Sequence, residues 1–372
     1  MDELAALNSL RHTVLWAAFA VAAAFGFIAQ RTHFCTMGAV SDIVNMGDWN
    51  RMRMWGMAVG VAAIGFYALG WLGLIDTSAS IYTGKRIVWL SALVGGALFG
   101  VGMVLASGCG SKTLVRIGGG SLKSLVVFCV MGLAAFMTLR GVFAVARNAT
   151  VDQVAFEIGA GAALPAWLAT GFGVEPGVAG LAAALLVGGA LIVWALLGAD
   201  FRTFNNLLGG LGIGLVIVGM WWVSGRLGFV PEHPETLDPV YLASNTGRME
   251  SLTFTAPMAY TLDWLIFFSD KSKLLTFGVV TVLGVVAGSL LCALIDRSFR
   301  WEGFRDTQDT ALHLVGAVLM GVGGVTALGC TVGQGLSGLS TLSLISAIAV
   351  AGIMAGAVLG FKFQIWLLER SA

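Results

Sequence analysis

The sequence predicts an all-α polytopic membrane protein of about nine transmembrane helices plus short broken or re-entrant ones, in two pseudo-symmetric inverted halves. Three observations carry this. Hydrophobic residues make up 58% of the 372 and charged residues only 11%, with a mean hydropathy of +0.89, so a soluble fold would lack the polar surface to cover itself. Apolar runs long enough to span a bilayer recur near 12–29, 53–74, 88–106, 122–143, 178–198, 206–224, 274–295, 311–328 and 342–368. Residues 94–109 also match residues 315–330 at a constant offset of 221, with ten identities in sixteen positions ending at Cys109 and Cys330. An internal repeat at this separation in an apolar chain is expected of transporters built from two related halves that hold substrate where they meet. Residues 1–372 then form a single membrane domain, with half-repeats at about 12–198 and about 240–368.

The net charge of +1 leaves no basic patch for nucleic acid. Asp2 and Glu3 precede Arg11, the wrong flank for a cleaved signal peptide, so the first run is read as a retained span. Gln30 to Gly38 is polar enough to break the bilayer crossing, with a short helix over 39–46 ending at Gly47. Arg51, Arg53, Lys85 and Arg86 bound the second span as interface anchors. Glycines at 95, 96, 100, 102 and 108 let helices approach closely. The chain then breaks at Cys109, and 113–117 reads as a half-helix closed by Gly118, Gly119 and Gly120. Lys112 and Arg116 on that piece read as interfacial anchors that could also draw in an anion. Residues 144–175 read as an aqueous connection with one short helix, and the proline-rich 226–250 as an exposed loop between the halves. At an offset of 220, Phe254 falls on Phe34 and Thr255 on Cys35, a counterpart of the first break without its thiol. Arg297, Arg300 and Arg305 make the 296–306 loop the best cytoplasmic candidate.

Five cysteines contain no Cys-x-x-Cys pair, which argues against a disulfide framework. Cys129 and Cys292 sit mid-span without glycine and read as small apolar side chains. Gly333 to Gly338 fits G-x-G-x-x-G but lacks the strand and βαβ unit of a dinucleotide site. No cofactor or metal motif stands out. The Gly-Cys breaks remain. A broken membrane helix exposes free N–H groups and a positive dipole end, which suits a small anion. A thiol there suits one with a soft sulfur end, since a neutral S–H donates weakly. Cys35, Cys109 and Cys330 are the candidate path residues, with backbone at Gly108, Gly110, Gly329 and Gly333, and Thr331 and Gln334 as secondary candidates. His33, two residues from Cys35, reads as an interfacial histidine. The rivals are a membrane thiol–disulfide enzyme, which needs two thiols within bonding reach, and a soft-metal channel, which would want clustered Cys or Met.

The Gly-Cys segments, the Arg-x-His-Phe-Cys segment ending at Cys35 and the inverted halves together resemble the YeeE/YedE family of bacterial inner-membrane sulfur transporters, most specifically over 328–338. The resemblance implies thiosulfate uptake along an hourglass-shaped path, with Cys35, Cys109 and Cys330 relaying the anion by S–H···S hydrogen bonds. It also implies a small soluble TusA-like sulfur carrier on the cytoplasmic side. Some relatives handle other sulfur or selenium species, so the anion stays open between them.

Overall fold

In hydrocarbon each backbone N–H and C=O must be satisfied within its own segment, which drives apolar runs of this length into helices. The computed structural model describes Asp2–Ser371, and nine helices among the described residues are long and apolar enough to cross a membrane. In order the helices are α1 (Asp2–Thr32), α2 (Thr36–Met46), α3 (Asn50–Trp71), α4 (Trp89–Leu105), α5 (Gly110–Gly118), α6 (Leu122–Arg140), α7 (Val142–Ala149), α8 (Leu164–Phe172) and α9 (Pro176–Leu196). A bent helix follows, α10 (Phe204–Leu207) running through a π-helical turn into α11 (Ile213–Trp222), then α12 (Thr255–Ile266), α13 (Phe277–Ile295), α14 (Thr307–Thr326) and α15 (Leu344–Ser371). Each of the nine predicted apolar runs falls on one of the spanning helices.

Two short antiparallel strand pairs, β1 (Arg86–Ile87) with β2 (Phe156–Glu157) and the hairpin of β3 (Phe229–Val230) with β4 (Val240–Tyr241), join connections at one end of the bundle, here the hairpin end. The other is the arginine end. There Arg31 meets Asp296 at 2.7 Å and Lys123 meets Glu302 at 2.7 Å, tying the 296–306 loop to α1 and α6.

The helices pair reciprocally. α4 packs on α15 as α14 packs on α6, and α1 packs on α13 as α11 packs on α3. At the centre α4 crosses α14 antiparallel through four glycines. A Cβ built on Gly95 would lie 2.7 Å from the Gly323 carbonyl oxygen and one on Gly323 2.6 Å from that of Gly95. Gly102 and Gly316 repeat this at 2.7 and 2.6 Å. Since Gly95 and Gly316 are equivalent in the repeat, as are Gly102 and Gly323, the contact is related to itself by a twofold. Backbones this close need residues without a side chain.

Several local expectations shift. α2 begins at Thr36 rather than at 39, and α5 at Gly110 rather than at 113, because a cysteine occupies each N-cap position. Gly47 closes α2 with φ of 69°, the left-handed conformation glycine takes without strain. The 144–175 connection carries two short helices, α7 and α8, instead of one. The 226–250 stretch is not wholly exposed: it carries the β3–β4 hairpin and ends in a buried Glu250.

Candidate functional site

The repeat is carried in hydrogen bonds as well as letters. α4 ends with Ala106 N–H donating to Gly102 at 2.9 Å, Ser107 to Val104 at 3.1 Å and Gly108 to Met103 at 2.8 Å. α14 ends with Ala327 donating to Gly323 at 2.8 Å, Leu328 to Val325 at 3.0 Å and Gly329 to Gly324 at 2.8 Å. Ser107 and Leu328, equivalent in the repeat, both take a positive φ, of 54° and 59°. This left-handed residue turns the chain sharply, so that the following cysteine heads a new short helix inside the bundle. The Thr113 N–H then reaches the Cys109 carbonyl at 2.9 Å, and the Gln334 N–H that of Cys330 at 2.8 Å.

Cys35 and Cys109 therefore sit at N-cap positions, where serine, threonine or aspartate usually stand, and Cys330 stands two residues before the N-cap of its π-helical segment. Cys35 caps α2, its sulfur accepting from the Gly38 N–H at 3.4 Å. Cys330 makes the same bond with Gly333, also at 3.4 Å, heading the π-helical segment Gly333–Gly338. Cys109 caps α5, and its sulfur lies 3.3 Å from the Ser111 hydroxyl. All three are buried free thiols.

The fold brings them together. Cys35 and Cys109 face each other as interacting thiols although 74 residues separate them (109 − 35). Thr331 faces Cys109, while its own hydroxyl makes no hydrogen bond among the described residues. Cys330 lies beyond Thr331, within electrostatic reach of Cys109. Cys109 thus has both Cys35 and Thr331, the residue after Cys330, as neighbours. Of the other two cysteines, Cys129 is exposed on the outside of the bundle, and Cys292 is buried with its sulfur 3.5 Å from Asp296.

The glycine backbone divides. The N–H groups of Gly108 and Gly329 are consumed in closing α4 and α14, which corrects the expectation that they face an anion. That of Gly333 serves the Cys330 sulfur, and Gly110, first residue of α5, has no intrahelical partner for its own. Gln334 braces the break, its Nε2 donating to the Ala327 carbonyl at 2.6 Å, while its Oε1 makes no bond among the described residues.

One residue escaped the sequence reading. Tyr82, in the connection between α3 and α4, is buried with a hydroxyl that has no partner among the described residues. It is held by its carbonyl, which accepts from Ser343 at 2.7 Å, and by edge contact with Trp221 at 6.3 Å between ring centroids. A Cβ on Gly333 would lie 3.4 Å from this hydroxyl and 2.4 Å from that of Thr253. Both hydroxyls thus converge beside Cys330, at the floor of a cavity of about 300 Å³ lined also by Glu250, Tyr260 and Leu328. The Glu250 carboxylate is occupied by Ser244 at 2.7 Å and by the Thr246 hydroxyl and N–H at 2.6 and 3.1 Å. Buried polar atoms in a folded protein nearly always have a partner. The Tyr82 hydroxyl, which lines this cavity, is an exception, with its donor free for a ligand.

The sulphur-transport family profile matches residues 31–359, a range that contains Cys35, Cys109 and Cys330. The chain belongs to that family. It is 30% identical over 324 residues to the thiosulfate transporter TsuA of Escherichia coli (strain K12), covering 84% of each chain. It is 25% identical over 375 residues to the thiosulfate transporter TsuA of Spirochaeta thermophila, covering 96% of this chain and 100% of that one. A shorter match, 28% over 114 residues, is to the probable transporter YedE of Salmonella typhimurium. This member of the family is a multi-pass membrane transporter, and the thiol series is its candidate path.

Proposed function

We propose that the chain takes up thiosulfate, or a closely related small sulfur anion, across the bacterial inner membrane. The observation that carries this is the series of three buried thiols, each at a break where a short helical segment starts inside the bundle, in a chain whose relatives are named thiosulfate transporters. The anion enters at the hairpin-end cavity, where the open hydroxyl of Tyr82 bonds an oxygen, and moves inward to the Cys330 S–H, which donates to its terminal sulfur, and to the open Thr331 hydroxyl beside Cys109. It passes to Cys109 and then Cys35, each again donating S–H to sulfur. A neutral thiol is a weak donor, so each station binds loosely enough to release, which conduction requires. The N–H at Gly110 and the positive ends of the short helices offset the charge at the narrow part. The two halves of the repeat, each with one Gly-Cys break, meet at this path. The arginine end faces the cytoplasm, where a TusA-like carrier receives the product.

A membrane thiol–disulfide enzyme is the rival reading, and it needs the free thiols Cys35 and Cys109 to come within bonding reach. The two readings part in growth on thiosulfate of a strain lacking its own thiosulfate and sulfate uptake. The wild-type chain rescues growth, and the Cys35, Cys109 and Cys330 alanine variants do not, at equal membrane levels. No rescue by well-inserted wild type, with the carrier supplied, would remove thiosulfate as the substrate and point to another sulfur or selenium species or to redox chemistry.

A further inference from the structure

At the arginine end three carboxylates are already matched to cations, and Asp48, near Asp42, accepts from the Asn50 N–H. Asp42 lies 3.2 Å from Arg51, Asp296 2.7 Å from Arg31 and Glu302 2.7 Å from Lys123. Lys112 forms no ion pair among the described residues, although it is only partly exposed. Its electrostatic neighbours are more cations and two thiols: Arg51, Arg116, Cys35 and Cys109. His33 faces Lys112 and Arg51 in the same space.

Two contacts fix the arginines. A Cβ on Gly38, whose N–H holds the Cys35 sulfur, would lie 2.5 Å from Arg51 Nη1. One on Gly108 would lie 3.6 Å from Arg116 Nη1 and 3.3 Å from the Lys112 side chain. The guanidinium groups therefore stand beside the breaks that carry Cys35 and Cys109. Like charges gathered close together repel one another, and a partly buried ammonium without a counter-charge is costly. Helix stability does not explain Lys112 either. It sits in the first turn of α5, where the dipole favours negative side chains and opposes a cation.

An anion resolves all of this. We propose that Lys112, flanked by Arg51 and Arg116, is a holding site for a small divalent sulfur oxyanion on the arginine-end side of Cys35. Its hard oxygens meet the ammonium and guanidinium donors while its sulfur end leaves the Cys35 thiol. The inference rests on the sulfur-anion path proposed above and adds its last station before release.

The test is radiolabelled thiosulfate uptake into proteoliposomes containing the full chain, at thiosulfate below saturation and at two ionic strengths. Lys112→Gln is expected to lower uptake at least tenfold and to flatten its dependence on ionic strength, with Lys112→Arg restoring both. Arg202→Gln, whose guanidinium bonds the Leu196 carbonyl away from the cluster, keeps wild-type behaviour. Wild-type uptake and salt response in Lys112→Gln would overturn the holding site and leave the thiol path standing, whereas no uptake by wild type would remove the path itself. A binding measurement covers the case in which Lys112→Gln does not insert. By titration calorimetry the Cys330→Ser protein still binds thiosulfate, and Arg116→Gln added to it weakens that binding at least tenfold. No binding in the Cys330→Ser protein, or unchanged binding with Arg116→Gln, would overturn the proposal.

Discussion

Lys112 and Gly333 occupy the same position in the two copies of the repeat, three residues after Cys109 and Cys330, and the two breaks differ most at this point. Around Cys109 the position carries an ammonium among arginines. Around Cys330 it carries no side chain, and the space is taken by the hydroxyls of Thr253 and Tyr82. The backbone before both positions is the same, down to the left-handed residue and the hydrogen bonds that close each helix. Scaffold and chemistry are therefore separable. The repeat supplies two broken helices with a thiol at each break, and the residues that differ make one mouth hydroxyl-lined, with Glu250 and Arg147 also in its cavity, and the other cationic. A path with unlike mouths can take an anion from one side and hold it at the other.

Damage to the shared scaffold should have the largest effect. Gly102→Leu and Gly323→Leu drive a side chain into the facing backbone and should each destabilise by about 1–3 kcal/mol, the usual range for overpacking. Thermal unfolding in detergent measures this, and the two losses should be similar because the sites are equivalent. Harm from one with tolerance of the other would break the twofold relation.

At the hairpin-end mouth Gly333→Ala is expected to lower uptake about tenfold without loss of inserted protein, because its methyl group displaces Thr253 and crowds Tyr82; one charge-free hydrogen bond is worth about 0.5–1.5 kcal/mol. Uptake unchanged in that variant would mean that the hydroxyls beside Cys330 do not touch the substrate.

Tyr82→Phe sharpens the point with a smaller effect. Loss of one donor should raise the apparent KM for thiosulfate by about two- to tenfold, on the same hydrogen-bond scale. Its melting temperature should hold or rise, since the lost hydroxyl has no partner in the fold. A fall in melting temperature with unchanged KM would assign Tyr82 to the scaffold. Smallest is Ser111→Ala, which removes a neighbour of the Cys109 sulfur and should cost at most a few-fold in uptake, with unchanged expression.

The nine spans were legible because an apolar run of that length has one stable form in a bilayer. Cys109 and Cys330 were legible because the repeat ends on them. Cys35 has no thiol partner in the other half, where α12 begins after Phe254, so only its polar break and the family resemblance marked it. The pairing of Cys35 with Cys109 was not legible, because it joins elements from either side of α3. Tyr82 carried no signal, since a tyrosine in a polar connection shows neither its burial nor its missing partner. Lys112 passed as an interfacial anchor because charge accounting needs all the carboxylates placed in space.

The most direct measurement is thiosulfate uptake into proteoliposomes by three single variants, Cys35→Ser, Cys109→Ser and Cys330→Ser, beside Cys129→Ser. Serine is the better helix cap, so folding and insertion should be preserved in all four. Three thiols in series predict loss of uptake in each of the first three and wild-type uptake in the fourth. Wild-type rates in any of the first three, at equal protein per vesicle, would contradict a path that runs through every thiol.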